Sequence, residues 1–588
     1  MKSLDKYKIP VKKLRWSCNQ SKKKICSTES IEPCGEIIGQ ERALDAIKLG
    51  LQLEQPGYNV FVVGYTGTGR TTTIKRMLEE LGLEDGKTPN DLVYVNNFGN
   101  TDTPRAIILP AGQGAKFRDE MKNMIERLRE AIPGLMESDE LRNRRKKIVE
   151  ELEERQKELL REFEKKVKER EFAMTQVQIG QMMRPDISPV ISGNPTPMAE
   201  VEAKTEAGEF PAERFAELKK SYDELSEEMV QIFKRTRENQ KQLGEKLERL
   251  HKDAISPLVY ESISLINSEF KADGMEYYLT EVHENIIKNV NRFHRTHDEQ
   301  SQQQQPASHQ TGREKDPFLE YSVNLIVDNS KNKNRPIVTE VNPNYRNIFG
   351  SIERVVDRQG FWRTDFTRLK AGALHRANGG FLILDAMDAL IEPGVWQGLK
   401  RTLRSGKLEI QANDPMYAFS HSALKPEPVD LDLKVIMIGR PDLYYLLYSM
   451  DPDFTKIFKI KADFDTVMKL DGHSISNYNA FARKMVDSHQ LLPFNEGGIA
   501  GIIEYGIRIA GRKNKLSTRF NLIADVMREA SYWAQHANKK EFAEEHVDKA
   551  IEEWTKRVSL PESKIGEMIE EGIILIDTED SVIGQING

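Results

Sequence analysis

Apolar and polar positions along this chain switch between two rhythms, and the switches mark out its elements. In "GEIIGQERALDAIKLGLQL" (35–53), Ala43, Ile47 and Leu51 recur at a four-residue step, which predicts a helix. "VFVV" (60–63) is a short unbroken apolar run stopped by Gly64, the pattern of a buried strand, and "TTTIKRML" beyond the glycines predicts the start of a helix. "DLVYVNNF" (91–98) is rich in β-branched and aromatic residues and predicts another strand.

From about residue 115 the rhythm changes. "LRNRRKKIVEELEERQKELLREFEKKVKER" lacks Gly and Pro and sets Ile148, Leu152, Leu159, Phe163 and Val167 on one stripe. A second arm places Leu218, Tyr222, Leu225, Met229 and Ile232 at alternating steps of four and three, a narrow heptad seam. Joined by a Gly/Pro-rich, strand-like tip (172–211), the arms predict an antiparallel, coiled-coil-like hairpin. Its seam reads either as an ordinary two-helix packing face or as an arm that touches substrate or a partner.

"RTHDEQSQQQQPASHQTGREKDP" (295–317) is polar low-complexity sequence and predicts a flexible loop. Strand patterning resumes in "YSVNLIVDN" (321–329) and "GGFLILDAMDAL" (379–390). A long helical insertion therefore interrupts one α/β domain, whose two halves should fold together. The expected organisation is a basic lead-in (1–35), a first part of the α/β core (36–114), the insertion (115–294), the loop (295–317), a second part of the core (318–469), a helical segment (470–560) and a return to strand chemistry (561–588).

Charge narrows the partners. Lys and Arg number 86 against 92 Asp and Glu, a net charge of −6, so bulk charge argues for neither nucleic acid nor an anionic membrane. There is no helix-turn-helix signal, zinc finger or basic stripe, which makes nucleic acid an unexpected partner. No apolar run approaches the ~20 residues that span a bilayer. The basic N-terminus lacks the apolar stretch of a signal peptide, so a cytoplasmic location is expected. Cys18, Cys26 and Cys34 are too sparse for a four-ligand zinc site and read as free thiols.

The chemistry centres on "VGYTGTGRTTT". Gly64, Gly67 and Gly69 let backbone N–H groups converge on phosphates, and the helix start behind them adds a favourable dipole. The spacing is that of a P-loop, G-x-x-x-x-G-K-[ST], with Arg70 in place of lysine and Thr71 placed to put its hydroxyl on Mg²⁺. Arg70 keeps the charge, but a planar fork is not a compact point charge. The candidate nucleotide contacts are Gly64, Thr66, Gly67, Thr68, Gly69, Arg70, Thr71 and Thr72. Asp385 ends a buried strand and suits a carboxylate that holds Mg²⁺. In ATPases built this way a glutamate commonly follows and polarises the attacking water. Here Ala386 follows, and Asp388 is the nearest substitute.

Together "IIGQERALDAIKLGL", "VGYTGTGRTTT", "NPNYRNIFGSIERV", "TDFTRLKAGALHRANGGFLILDAMDAL", "DPDFTKIFKIKADF" and "LSTRFNLIADVMREASYWA" resemble the Lon-like AAA+ proteases of the LonB type, in the bacterial branch with a long helical insertion. The resemblance implies an α/β AAA+ core with a parallel sheet, an all-α lid and a homo-oligomeric, usually hexameric ring that binds ATP and Mg²⁺ and handles unfolded protein. It makes Gly64 to Thr71 the Walker A loop, Asp385 the Walker B carboxylate and Arg519 the sensor-2 arginine. It likens residues 435–443 to the sensor-1 strand and places Lys456 or Lys459 near a finger position. Phe361 and Trp362 match a loop that grips substrate in related rings, or a packing element. The family's peptidase domain begins with sequence like "DSVIGQING", and no counterpart of its Ser–Lys dyad follows here. The expectation is thus an ATP-binding module whose protease is absent from this chain or supplied separately, with a nucleotide-binding scaffold that hydrolyses little as the alternative.

Overall fold

The computed structural model describes residues 8–10, 16–18, 27–32, 38–85, 88–179, 182–191, 193–293, 316–356, 360, 362–411, 424–576 and 583–584. Cys26, Cys34, Phe361 and nearly all of the low-complexity stretch lie outside them.

Helix α1 (Glu41–Gln52) leads into a sheet built from β1 (Val60–Val63), β2 (Ile337–Glu340), β3 (Phe381–Asp385), β4 (Lys434–Gly439) and β5 (Ile460–Asp463). All five run parallel, in the order β5-β1-β4-β3-β2. The two parts of the α/β core interleave here, because Val60 of β1 pairs with Ile436 on one side and Ile460 on the other. A parallel strand covered on both faces needs no polar alternation, which is why "VFVV" is apolar throughout. Val60 and Val62 face Ala43, Ile47, Ile74 and Leu78 of α1 and α2 (Arg70–Asp85). Phe61 and Val63 face the opposite layer with Leu382, Met437, Leu399, Phe454 and Phe458.

The strand expected over 379–390 ends earlier. Asp385 accepts hydrogen bonds from the backbone N–H groups of Met387 (2.8 Å) and Asp388 (3.3 Å), which caps a short helix, Ala386–Ile391. The strands expected near 91–98 and 321–329 form, but outside the main sheet. Asn90–Val95 lies between Arg105–Pro110 and Val323–Val327 in a separate antiparallel sheet. Its apolar face, with Val93, Val95, Ile107 and Leu109, packs against Phe117 and Met121 of α3 (Gln113–Met136). The buried Asp91 carboxylate fastens this unit by accepting from Gly114 N (2.8 Å) and Asn329 N (2.7 Å).

Helices α4 (Asp139–Glu169) and α5 (Ala212–Glu269) form the long arm. At 58 residues, α5 is about 87 Å long. Ion pairs Arg170–Glu224 (2.7 Å) and Lys166–Glu228 set the two antiparallel. Of the heptad positions, Leu225, Met229 and Ile232 are buried with Phe163, Val167, Phe172 and Ile187 in a small core of their own. Three antiparallel strands, Phe172–Ile179, Met182–Ile191 and Asn194–Pro195, form the tip. The base of α5 joins α3 and α6 (Met275–Lys288) through Ile255, Val259 and Ile263.

Four helices, α7 (Gly472–His489), α8 (Glu496–Ala510), α9 (Phe520–His536) and α10 (Glu544–Val558), enclose a separate core with Tyr478, Ile503, Ile523, Met527 and Val547. Trp16, Cys18 and Ile31 pack on it, and Thr28 exchanges hydrogen bonds with the backbone of Phe494. Residues 571–576 form no strand, and most of the tail beyond them lies outside the described residues. No described helix is long and apolar enough to cross a membrane.

Because the arm has its own core, damage there should stay local. Phe163→Ala deletes a ring that is 2% exposed, a change that costs about 3–5 kcal/mol. Hydrogen exchange should speed up across residues 160–191 and 218–232 and stay unchanged over Val60–Val63. Equal acceleration in β1 would contradict an independent arm.

Candidate functional site

At the carboxyl end of the sheet, β1 lies between strands that arrive much later in the chain, a topological switch point where open α/β sheets bind ligands. The loop Gly64–Gly69 emerges there. Gly67 and Gly69 take φ of 89° and 81°, a left-handed backbone that glycine adopts without strain. Thr68 is buried and donates to the Tyr65 carbonyl (2.9 Å), so its hydroxyl shapes the loop. Thr71 and Thr72 are exposed in the first turn of α2, and Thr66 is exposed in the loop.

The loop is anchored to β4 through one carbonyl. Gly439 O accepts from Gly64 N (3.1 Å) and from Arg70 Nη1 (2.8 Å). Burial pushes the Arg70 pKa down, and the nearby Asp385 charge opposes that shift. Arg70, Asp385 and the end of β4 therefore share one edge, as the register requires, since Asp385 sits opposite Ile438. Asp385 is exposed and already accepts from two backbone N–H groups. Ala386 is wholly buried, and a Cβ on Gly439 would press on both it and the Phe61 ring. Asp388 is exposed one turn further on.

The helical unit reaches this loop through α9. Arg519 precedes the helix, with its backbone N–H on Ser517 Oγ (3.1 Å) and its Nε buried without a hydrogen-bond partner. Asn521 N donates to Gly67 O (3.4 Å), and a Cβ on Gly67 would overlap the Asn521 carboxamide. Asn521 Oδ1 is likewise buried without a partner. Asn521 was not a sequence candidate; its proximity to Arg519 in the chain was the available signal. Gln40 was also missed. Its carboxamide brackets the hinge before the helices, donating to Asp465 O (2.9 Å) and accepting from Asp465 N (3.0 Å). Thr518 Oγ1 donates to the same carbonyl.

Other candidates lie elsewhere. Lys459 donates to Pro56 O (3.3 Å) and sits over the Tyr58 ring, beside the opposite end of β1. Lys456 pairs with Asp453 (3.2 Å). Trp362 is 63% exposed on a two-stranded ladder with Val355 and Val356. In the stretch likened to sensor 1, the side chains of β4 are buried, and the first exposed polar group beyond it, Arg440, pairs with Asp442 (3.1 Å).

Residues 333–465 match the family model of the LonB-like AAA domain, 493–557 that of the archaeal LonB AAA+ ATPase LID domain, and 91–124 that of the Lon-like LonC helical domain. Over these three segments the chain is similar to the Lon-like AAA+ family. The first of these matches takes in β2 to β5, the second α8 to α10, and the third two strands of the separate sheet with the start of α3. Among curated proteins, the archaeal Lon protease of Archaeoglobus fulgidus is 25% identical over 281 residues, 45% of this chain and 42% of that one. The putative Lon protease homolog of Escherichia coli K12 is 24% identical over 224 residues, 37% of this chain and 36% of its own length. The matches thus span less than half of either relative. Among solved structures, NtrX from Brucella abortus in complex with ATP aligns at 12% identity with a TM-score of 0.23, covering 36% of this chain and 42% of that one. The core that includes the segment matched by the LonB-like AAA domain model is an α/β fold, with a parallel sheet and a helical unit set against the glycine loop.

Gly67→Ala would force a Cβ into the Asn521 carboxamide at a positive φ, a strain of about 1–3 kcal/mol before the clash is counted. The Asn521 and Leu522 amides should exchange faster, while those of α8 hold. Unchanged exchange at the start of α9 would refute the contact.

Proposed function

We propose that this Lon-like AAA+ chain binds ATP with Mg²⁺ at the Gly64–Thr71 loop and couples that binding to the handling of unfolded protein in an ATP-dependent protease system. The observation that carries the reading is the glycine loop and Arg70 anchored on Gly439 beside Asp385, with the start of α9 against Gly67. The residues fit the group. A left-handed glycine backbone frees N–H groups for phosphates, and the buried, unpartnered Arg519 Nε is a donor in want of an acceptor. Thr71 and Asp385 offer the oxygen donors that Mg²⁺ prefers. When bound, Mg·ATP supplies a phosphoanhydride bond whose cleavage can drive motion. In this reading Arg70 neutralises phosphate charge, Asp385 holds the metal and Arg519 carries the lid onto the nucleotide.

Exposed apolar side chains support assembly and substrate contact. Tyr445, Leu446, Tyr448 and Met450 stand exposed along the helix Pro441–Met450, a face suited to a neighbouring subunit in a homo-oligomeric ring. Trp362, Val355 and Val356 stand exposed on one ladder and suit an extended apolar polypeptide. A cytoplasmic setting fits this reading.

A second reading rests on Ala386. A methyl group buried against Phe61 polarises no water, so the chain could bind ATP as a scaffold with slow hydrolysis. Steady-state phosphate release with Mg·ATP, with and without casein, separates the two. The motor reading expects release that rises with casein and falls ~10²–10³-fold in Asp385→Asn, the scale for losing one group that stabilises the transition state. No release at millimolar ATP would overturn it in favour of the scaffold.

A further inference from the structure

The reading above leaves one buried polar group at the site without a task. Asn521 stands two residues after Arg519, on the first turn of α9, and its carboxamide fills the space that a Cβ on Gly67 would take. Its Oδ1 is buried with no hydrogen-bond partner. An unsatisfied buried acceptor is unfavourable by about 1–3 kcal/mol, so such groups usually serve a partner. The surroundings identify the partner. The loop gathers N–H donors toward an anion, and the phosphate oxygens that would lie there are acceptors. An acceptor cannot bind them, but a half-turn of the carboxamide exchanges Oδ1 for the Nδ2 donor at the same place. Asparagine serves either way without a charge and without a change of shape.

We propose that Asn521 is a positioning residue that reads the occupied phosphate loop from the lid: its Nδ2 donates to a nucleotide phosphate in the Gly64–Thr71 loop and so couples the seating of α9 to the nucleotide. This rests on the loop being a nucleotide site, as proposed above. The backbone supplies the second half of the coupling, because Asn521 N already donates to Gly67 O. Gln40 and Thr518 both bond the Asp465 backbone, which ties the start of the helical unit to the core close to Asn521.

The test measures equilibrium binding of Mg·ADP and of a non-hydrolysable Mg·ATP analogue to wild-type chain, Asn521→Ala and Asn521→Asp, with melting temperatures taken without nucleotide. Asn521→Asp keeps the shape, removes the donor and sets a negative charge against the phosphates. It should weaken binding by about 100-fold, and Asn521→Ala by about tenfold, the range expected for a hydrogen bond to a charged group. Melting without nucleotide should not fall in Asn521→Ala, which removes an unsatisfied buried acceptor, whereas a purely structural asparagine would lower it there. Wild-type affinity in Asn521→Asp overturns the inference, as does weakened binding in Asn521→Ala accompanied by lowered melting of that variant. Absence of binding by wild-type chain overturns the inference together with the nucleotide reading, and so is distinct from failure of Asn521 alone.

Discussion

The carbonyl of Gly439 is the point on which the site depends. Two donors from the other part of the α/β core meet on it, the backbone N–H of Gly64 and the guanidinium of Arg70. Without that convergence the glycine loop would be a surface turn on the end of β1. With it, the loop is fixed to β4, and β4 in turn sets the height of Asp385 through parallel pairing. The constraint explains why Gly439 tolerates no side chain, since a Cβ there would strike Phe61 and Ala386. It also gives Arg70 a place that lysine would fill differently: a planar fork can hold a backbone carbonyl with one nitrogen and leave others directed elsewhere.

The helical arm answers to different forces. Its charged surface carries ion pairs exposed enough to contribute roughly 0–1 kcal/mol each, so the small apolar core at the tip and the larger one at the base hold its ends. Between them α5 runs from Phe233 to Ala254 with no buried side chain. Among the described residues nothing in that packing ties the arm to the glycine loop, so the two are separate structural units within one chain.

In the main sheet β1 and β3 were legible as apolar runs bounded by glycine or aspartate, whereas β2 (IVTE) and β5 (IKAD) mix in polar residues and gave no such run, and the loop between Val63 and Arg70 was legible because glycine spacing is itself the signal. The seam of the arm was legible in part: Leu225, Met229 and Ile232 are buried, while the earlier Leu218 and Tyr222 only pack against the edge of that core. What the pattern could not give was partnership. Asn90–Val95 and Val323–Val327 read as strands but carry no mark of which sheet they join, since that depends on helices far away in sequence. The short helix after Asp385 was hidden by an apolar run that suits strand and helix alike, and a single capping carboxylate decided it. Gln40 and Asn521 were invisible for the same reason: an amide has no periodicity, and its role appears only when Asp465 or Gly67 is folded against it.

The most direct measurement is hydrogen exchange of the full chain with and without Mg·ATP, followed by peptide across residues 64–72 and 519–523. If one site is assembled from the glycine loop and the start of α9, both segments gain protection together and by similar factors at saturating nucleotide. Protection of the loop with no change in α9 would contradict a shared site. No change in either would contradict nucleotide binding itself.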